Sequence, residues 1–385
     1  MKIMFAADMS FNYFDAFESK EKAQVAMAEP AEFFKQADFS MVNLENIFGN
    51  KEAAAPIIKS GPNLISEDAF IDYIHVLKPD VVSMANNHSK DYGEEVLFHT
   101  MDMLSESGYT SIGVGKNIEE AYHPANISKN GINVSIIAVC ENEFGVATDV
   151  TSGTAGYSLG RVAKAIRQAL DETSKPIIYF HGGNETNPFP SPGKVELYRH
   201  FIDLGAEAVV AMHTHCPQGY EYYNGKPIVY SMGNFFFPTT GKKRKNWNYG
   251  YLSQLDINDE EVKLSIYPYK FDMDKVTMLE GKEKADFMKY MECLCAPLKD
   301  SKRIQSLFDS WCLTQNYINS LEQYKTEYFS DGYAEEVKGL KNVFWCEAHN
   351  ELVKNTFQLI FESRIETART GVEIIRKLQD MEYVY

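Results

Sequence analysis

Cysteine is scarce in this chain of 385 residues. There are six, with no paired C-x-x-C spacing, which excludes a disulfide scaffold and points to free thiols in a reducing compartment. Basic residues are outnumbered, 38 Lys and Arg against 54 Asp and Glu, and the net charge of −16 excludes a broad nucleic-acid surface. No apolar stretch of membrane-spanning length occurs, and the strand-like run at Met1–Phe5 is not preceded by one. The expectation is therefore no membrane span, no signal peptide and a cytoplasmic location. Fixed-period repeats and low-complexity segments are also missing. Gly113-Val114-Gly115-Lys116-Asn117 lacks the full glycine spacing of a dinucleotide fingerprint and reads as a turn entering a helix at Ile118. No nucleotide cofactor is expected.

What is present suits a sizeable core, with 44% apolar and 13% aromatic residues. The length predicts one large domain plus an appendage. Up to about residue 270, short apolar strands alternate with helical patterns, an α/β signature. Beyond Met273 strand-like runs cease and apolar residues fall at helical spacing, as in Val343, Trp345, Leu352, Phe357, Ile360 and Ile365. The division expected is a domain at 1–272 and a helical appendage at 273–385. The appendage is read as packing on the domain or forming a homodimer, with a cap over the site as the lesser alternative, in which Tyr324, Tyr328 and Tyr333 would shape a pocket.

Five apolar runs end in residues that bind metal. Lys2–Ala7 delivers Asp8, Phe39–Val42 leads to Asn43-Leu44-Glu45, and Asp80–Ala85 leads to Asn86-Asn87-His88 with Asp91 just beyond. Pro176–Phe180 leads to His181-Gly182-Gly183-Asn184-Glu185, and Ala208–Val210 leads through Ala211-Met212 to His213-Thr214-His215. Residues i and i+2 of an extended chain point the same way, so His213 and His215 are expected to present two imidazoles from one edge. Carboxyl ends of strands in an open α/β sheet converge on one crevice. Singly, an Asp, Asn or Gly-Gly after a strand reads as a turn. Jointly, the five point to a metal site.

The ordered set of Asp8, Asn43-Leu44-Glu45, Ala85 to Gly93, His181 to Glu185, His213-Thr214-His215 and Tyr230 to Phe235 resembles the CapA family of capsule or poly-γ-glutamate synthesis proteins. That family in turn looks like a branch of the metallophosphatase superfamily. The resemblance covers roughly residues 1–270. It implies a four-layer sandwich of two mixed β-sheets flanked by helices. It also implies a two-metal centre in which Asp8, Glu45 and His215 hold one ion, Asn87, His181 and His213 hold the other, and Glu45 bridges. His88 would act beside the metals as an acid or electrostatic stabiliser, and Asp91 and Glu185 are assigned to catalysis with it. Where the superfamily has a histidine two residues after the first aspartate, this chain has Ser10. A hydroxyl is a poor transition-metal ligand, so the first site is expected to be the weaker. Occupancy by one or two divalent ions (Mn, Zn or Fe), or by none, is consistent with that set.

Two metals about 3.5–4 Å apart support hydrolysis of a phosphoester or a peptide-like amide. A metal-poor site would support proton transfer by His88 or His181, as in an epimerase. A third reading is a non-catalytic partner in capsule biosynthesis on an inherited fold. The basic run Lys242-Lys243-Arg244-Lys245, close after Asn234–Phe237, is either a solvated loop or a device that draws an anionic small molecule, peptide or polymer to the site. Cys293-x-Cys295 and Cys346-x-x-His349 lie in helical sequence and are placed outside the ligand set.

Overall fold

In the computed structural model, which describes residues 1–14, 16–315 and 334–382, the apolar run Lys2–Met9 is an inner strand of an eight-stranded sheet. It pairs in parallel with Phe39–Leu44, which pairs with Val81–Ser83 and that in turn with Thr110–Ile112. On its other side it meets Tyr249–Ile257 antiparallel and, at its carboxyl end, Asn234–Phe236 in parallel. Val262–Phe271 and Val276–Met278 complete the sheet, so one strand lies past the point where the sequence pattern turns helical. A second sheet of six strands has Ile132–Cys140, Lys175–His181, Ala208–Met212 and Lys226–Val229 mutually parallel. Antiparallel Ala125–Lys129 and Tyr220–Tyr223 form its edges.

Alternation along the second sheet divides its side chains between two cores, as the two-residue strand period requires. Ile136, Ile177, Tyr179, Val210 and Met212 face the first sheet, where the Tyr179 and Phe5 rings stack at 5.8 Å and the Tyr179 hydroxyl donates to Ala6 O (2.6 Å). Ile137, Ile178, Phe180, Val209 and Ala211 face the helices Leu159–Asp171 and Pro192–Asp203. The first of these helices buries Val162, Ile166 and Ala169 at helical spacing. The second begins at Pro192, behind Ser191, whose hydroxyl accepts from Lys194 N. Helices Lys20–Gln36, Ile71–Leu77 and Gly93–Glu106 pack on the first sheet, with Phe34 stacked on Phe235. The result is helix, sheet, sheet, helix, as the resemblance implies.

Helices follow from Gly281: Gly281–Cys295, Ser301–Cys312, Ala334–Trp345, Glu347–Phe361 and two short ones ending at Gln379. Leu307, Phe308, Trp311, Leu352 and Leu378 join the larger apolar core, so the appendage is packed on the body. Tyr324, Tyr328 and Tyr333 lie outside the described residues. Among the described residues, no helix is long and apolar enough to cross a membrane.

Candidate metal centre

Register sets the site. Asp8 lies opposite Asn43, and His181 lies opposite both Cys140 and Met212, so the parallel strands of both sheets end at one crevice. Asp8, Glu45 and His215 bring one ligand atom each within 4.8 Å of one another, and so do Glu45, His181 and His213. Glu45 belongs to both groups. Its two carboxylate oxygens are buried and have no hydrogen-bond partner. His181 Nε2 stands 3.5 Å from Glu45 Oε1 and 3.6 Å from Asp8 Oδ1, also without a hydrogen bond.

The remaining contacts of these groups aim them. Asp8 accepts from Asn43 Nδ2 (2.8 Å) and from the His213 backbone N–H (3.0 Å). Asn234 Nδ2 donates to Trp247 O, which leaves its Oδ1 as acceptor for His215 Nδ1 at 2.8 Å. His215 Nε2 is thereby turned toward Glu45 Oε1, 4.0 Å away, the orientation an outer-shell acceptor gives a ligating imidazole. Trp247 packs on the same ring at 4.8 Å, tilted by 39°.

The backbone of the His-x-His segment departs from expectation. The strand stops at Met212, and His213 (φ 94°) and His215 (φ 54°) both adopt positive φ. Such conformations cost about 1–3 kcal/mol each and persist where surrounding contacts hold them, here the Asp8 and Asn234 hydrogen bonds. The two imidazoles converge through a strained loop, not along an extended edge.

Burial sets the charge states. It raises Asp8 to about 6, with Glu45 adding to the effect, and raises Glu45 as well. It lowers His181 to about 4 and carries His213 well below the ordinary imidazole value, helped by the neighbouring histidines. For His215 burial is outweighed by Glu45 and other carboxylates, and its value rises. Reluctant carboxylates beside neutral imidazoles are compatible with a divalent cation among them. The orphaned oxygens of Glu45 and the free Nε2 of His181 fit a divalent ion held by Asp8, Glu45, His181, His213 and His215.

Asn87 donates from Nδ2 to Glu143 Oε2 (3.0 Å) and leaves a buried Oδ1 without a partner. His88 is anchored through Nδ1 to Asp91 Oδ2 (2.6 Å), with Nε2 3.8 Å from Glu45 Oε1. Asp91, expected at the chemistry, is fully buried and reaches the crevice only through His88. It also pairs with Lys59 (2.7 Å) and accepts from Leu64 N. Glu185 is exposed and lines the mouth.

Several site groups were not singled out. Glu141 and Glu143 follow Ile132–Cys140, a buried run that ends in carboxylates as the other five end in ligands. Burial would raise Glu141, but Lys194 at 2.5 Å holds it low. Gly182 and Gly183 are more than punctuation: a Cβ on Gly182 would meet Glu141 Cγ at 2.5 Å, and Gly183 N donates to Glu141 Oε2. Cys346 and His349, set outside the ligand set, stand beside Glu143. Trp311, Gln315, Asn342, His349 and Leu352 line a cavity of about 330 Å³ together with Asn87 and His88. The appendage therefore covers the crevice as well as packing on the body. Cys295 Sγ instead accepts from Tyr220 N.

A two-sheet α/β sandwich whose strand ends gather carboxylates and imidazoles into one buried cluster is the class of protein that this architecture and site define. Residues 3–239 match the family described as bacterial capsule synthesis protein PGA_cap, and the chain belongs to that family. It is 28% identical over 163 residues to the capsule biosynthesis protein CapA of Bacillus anthracis, which covers 41% of this chain and 40% of that protein. It is 27% identical over 160 residues to the PGA biosynthesis protein CapA of Bacillus subtilis, covering 41% and 42%. The chain thus spans less than half the length of these curated relatives. A solved 5'-nucleotidase precursor from Thermus thermophilus aligns over 72% of this chain and 54% of its own, at 10% identity and a TM-score of 0.40.

Proposed function

We propose that the crevice is a metal-dependent hydrolytic centre acting on an anionic substrate, a phosphoester or a polyglutamate-like amide. One observation carries the reading: both oxygens of buried Glu45 lack partners while standing between an Asp8–His215 pair and a His181–His213 pair. Asp8, Glu45 and His215 would hold one ion, and His181, His213 and the free Oδ1 of Asn87 the other. Bound divalent ions would polarise the scissile group and lower the pKa of water beside it.

The chain's own groups complete the chemistry. His88 presents Nε2 to the crevice, where it can deliver a proton to a leaving oxygen. Asp91 fixes the His88 ring through Nδ1, and Lys59 balances the charge of Asp91. The appendage narrows the crevice and limits water. Lys243 sits 4.0 Å over the Trp247 ring, which itself backs His215, so the basic loop stands at the rim where an anion would arrive. The capsule and PGA names of the relatives favour an anionic polymer or a fragment of one.

Elemental analysis of protein purified without a metal-affinity column, before and after reconstitution with Mn²⁺, Zn²⁺ or Fe²⁺, tests the reading. Stoichiometric metal, with hydrolysis of a generic phosphodiester or γ-glutamyl amide, is expected. Failure to bind any of the three would sink it. A second reading, proton transfer without metal, draws on the Lys59–Asp91–His88 array, in which Lys59 and His88 Nδ1 both bond the Asp91 carboxylate. Its mark would be chelator-insensitive exchange of a substrate proton.

A further inference from the structure

We infer that Glu143, Cys346 and His349 form a further transition-metal site that adjoins the Glu45 centre, with Glu143 Oε1 3.8 Å from His213 Nε2, and in which the appendage supplies two of the three ligands. Their donor atoms lie within 4.8 Å of one another. Glu143 Oε1 and Cys346 Sγ stand 3.7 Å apart. A tetrahedral zinc with Zn–S of about 2.3 Å and Zn–O of about 2.0 Å separates such donors by about 3.5 Å, so little movement is needed. Thiolate, imidazole and carboxylate together select Zn²⁺ or Co²⁺ over Mg²⁺ or Ca²⁺.

The helix is seated firmly enough to make this a fixed site. Cys346 is the residue before the helix Glu347–Phe361, and His349 follows at the i+3 spacing that shares a face. Glu347 accepts from Asn142 N (3.0 Å) and Asn142 Nδ2 (2.6 Å), and Asn184 Nδ2 donates to Ala348 O. Glu351 accepts from Ser191 Oγ (2.5 Å) and Gly193 N (2.7 Å).

A second observation points to a ligand here: Asn342, 9% exposed, lines the same cavity as Glu143 and His349 and leaves its Oδ1 without a partner. Three protein ligands leave a fourth position for solvent or substrate. Binding converts the Cys346 thiol to a thiolate and releases its proton to solvent. Two of the three ligands lie beyond residues 3–239, the span that matches the family.

The test is a Co²⁺ titration of the full-length, metal-stripped protein, followed by near-ultraviolet absorption. Sulfur ligation adds a thiolate-to-cobalt charge-transfer band that oxygen and nitrogen ligands do not produce. We expect the band in the wild type and in His213→Ala, and its loss in Cys346→Ser. His349→Gln should weaken the Co²⁺ affinity that the band reports by at least the 10–100-fold typical of lost outer-shell partners. His349 is only partly buried, so that variant serves if Cys346→Ser does not fold. No band in the wild type, or a band that survives in Cys346→Ser, overturns the inference. An empty Glu45 centre with the band intact would instead count against the proposed hydrolytic reading alone.

Discussion

The two sides of the crevice are built differently. On the Asp8 side the carboxylate already accepts two hydrogen bonds, His215 is oriented by Asn234, and the buried Ser10 hydroxyl has no partner and adds no strong ligand. On the His213 side two imidazoles are kept neutral by burial, each with a ring nitrogen left unpaired. Transition metals bind neutral imidazole, so the His213 side should be the tighter half and the Asp8 side the exchangeable one. The difference traces to sequence position 10 and to the loop that bends His213 inward.

The largest effect follows directly. His213→Ala or His181→Ala should empty the tighter half and, because Glu45 is shared, weaken the other. His215→Ala should lose only one equivalent. Elemental analysis of the three variants against the wild type decides the matter, and a His215→Ala protein that loses more metal than His213→Ala would invert the comparison.

A second contrast lies in pH. Asp8 rises from 3.8 to about 6, so its share of the metal-free protein's stability is present below pH 4 and lost as pH rises through 6. His181 falls from 6.5 to about 4, so its share is present above 6.5 and lost as pH falls through 4. Each is worth about 3 kcal/mol, with opposite sign in nearly the same window. The two oppose each other in the wild type. Thermal melts of the metal-free protein between pH 4 and 6.5 should then show stability climbing with pH in Asp8→Asn and falling with pH in His181→Gln. Parallel slopes in the two variants would refute the opposition.

Those groups were readable because a buried parallel strand is an unbroken apolar run, and the residue that ends it stands at the sheet edge where ligands bind. Asp8, Glu45, His181 and His213 all carry that signal. Glu141 and Glu143 carry it too, after Ile132–Cys140. Lys59 does not: it lies outside any helix or strand, and only tertiary closure against Asp91 buries it. The helical spacing in the appendage identifies helices but not what covers them. Leu352 is buried, yet Trp345, Phe357 and Ile360 are 62%, 42% and 51% exposed. Nor could spacing bring Cys346 and His349 to Glu143, since a docking angle between helix and sheet edge depends on contacts far apart in the chain.

Position 10 offers a gain of function. Ser10→His would add the ligand the Asp8 side lacks, against an overpacking cost of about 1–3 kcal/mol at a buried site. The two binding affinities measured by calorimetry should draw together while the metal-free melting temperature drops. Unchanged affinities would mean that Ser10 is not what sets the halves apart.

The smallest effect concerns the basic loop on the Asp8 side. Arg244 is committed to Asp380 at 3.0 Å, so reversing it would disturb packing as well as charge. Lys243 is the cleaner probe, since its ammonium rests on Trp247, a contact worth about 0.5–1 kcal/mol at an exposed site. Lys243→Met keeps the aliphatic stem and drops the charge, whereas Lys243→Glu reverses it. If the loop steers an anion, KM at low salt should rise in that order, by a few-fold at most, with kcat unchanged and the difference erased at high salt. Equal KM changes in both variants would assign the loop to holding Trp247 against His215 and would leave substrate charge to be recognised by the metals alone.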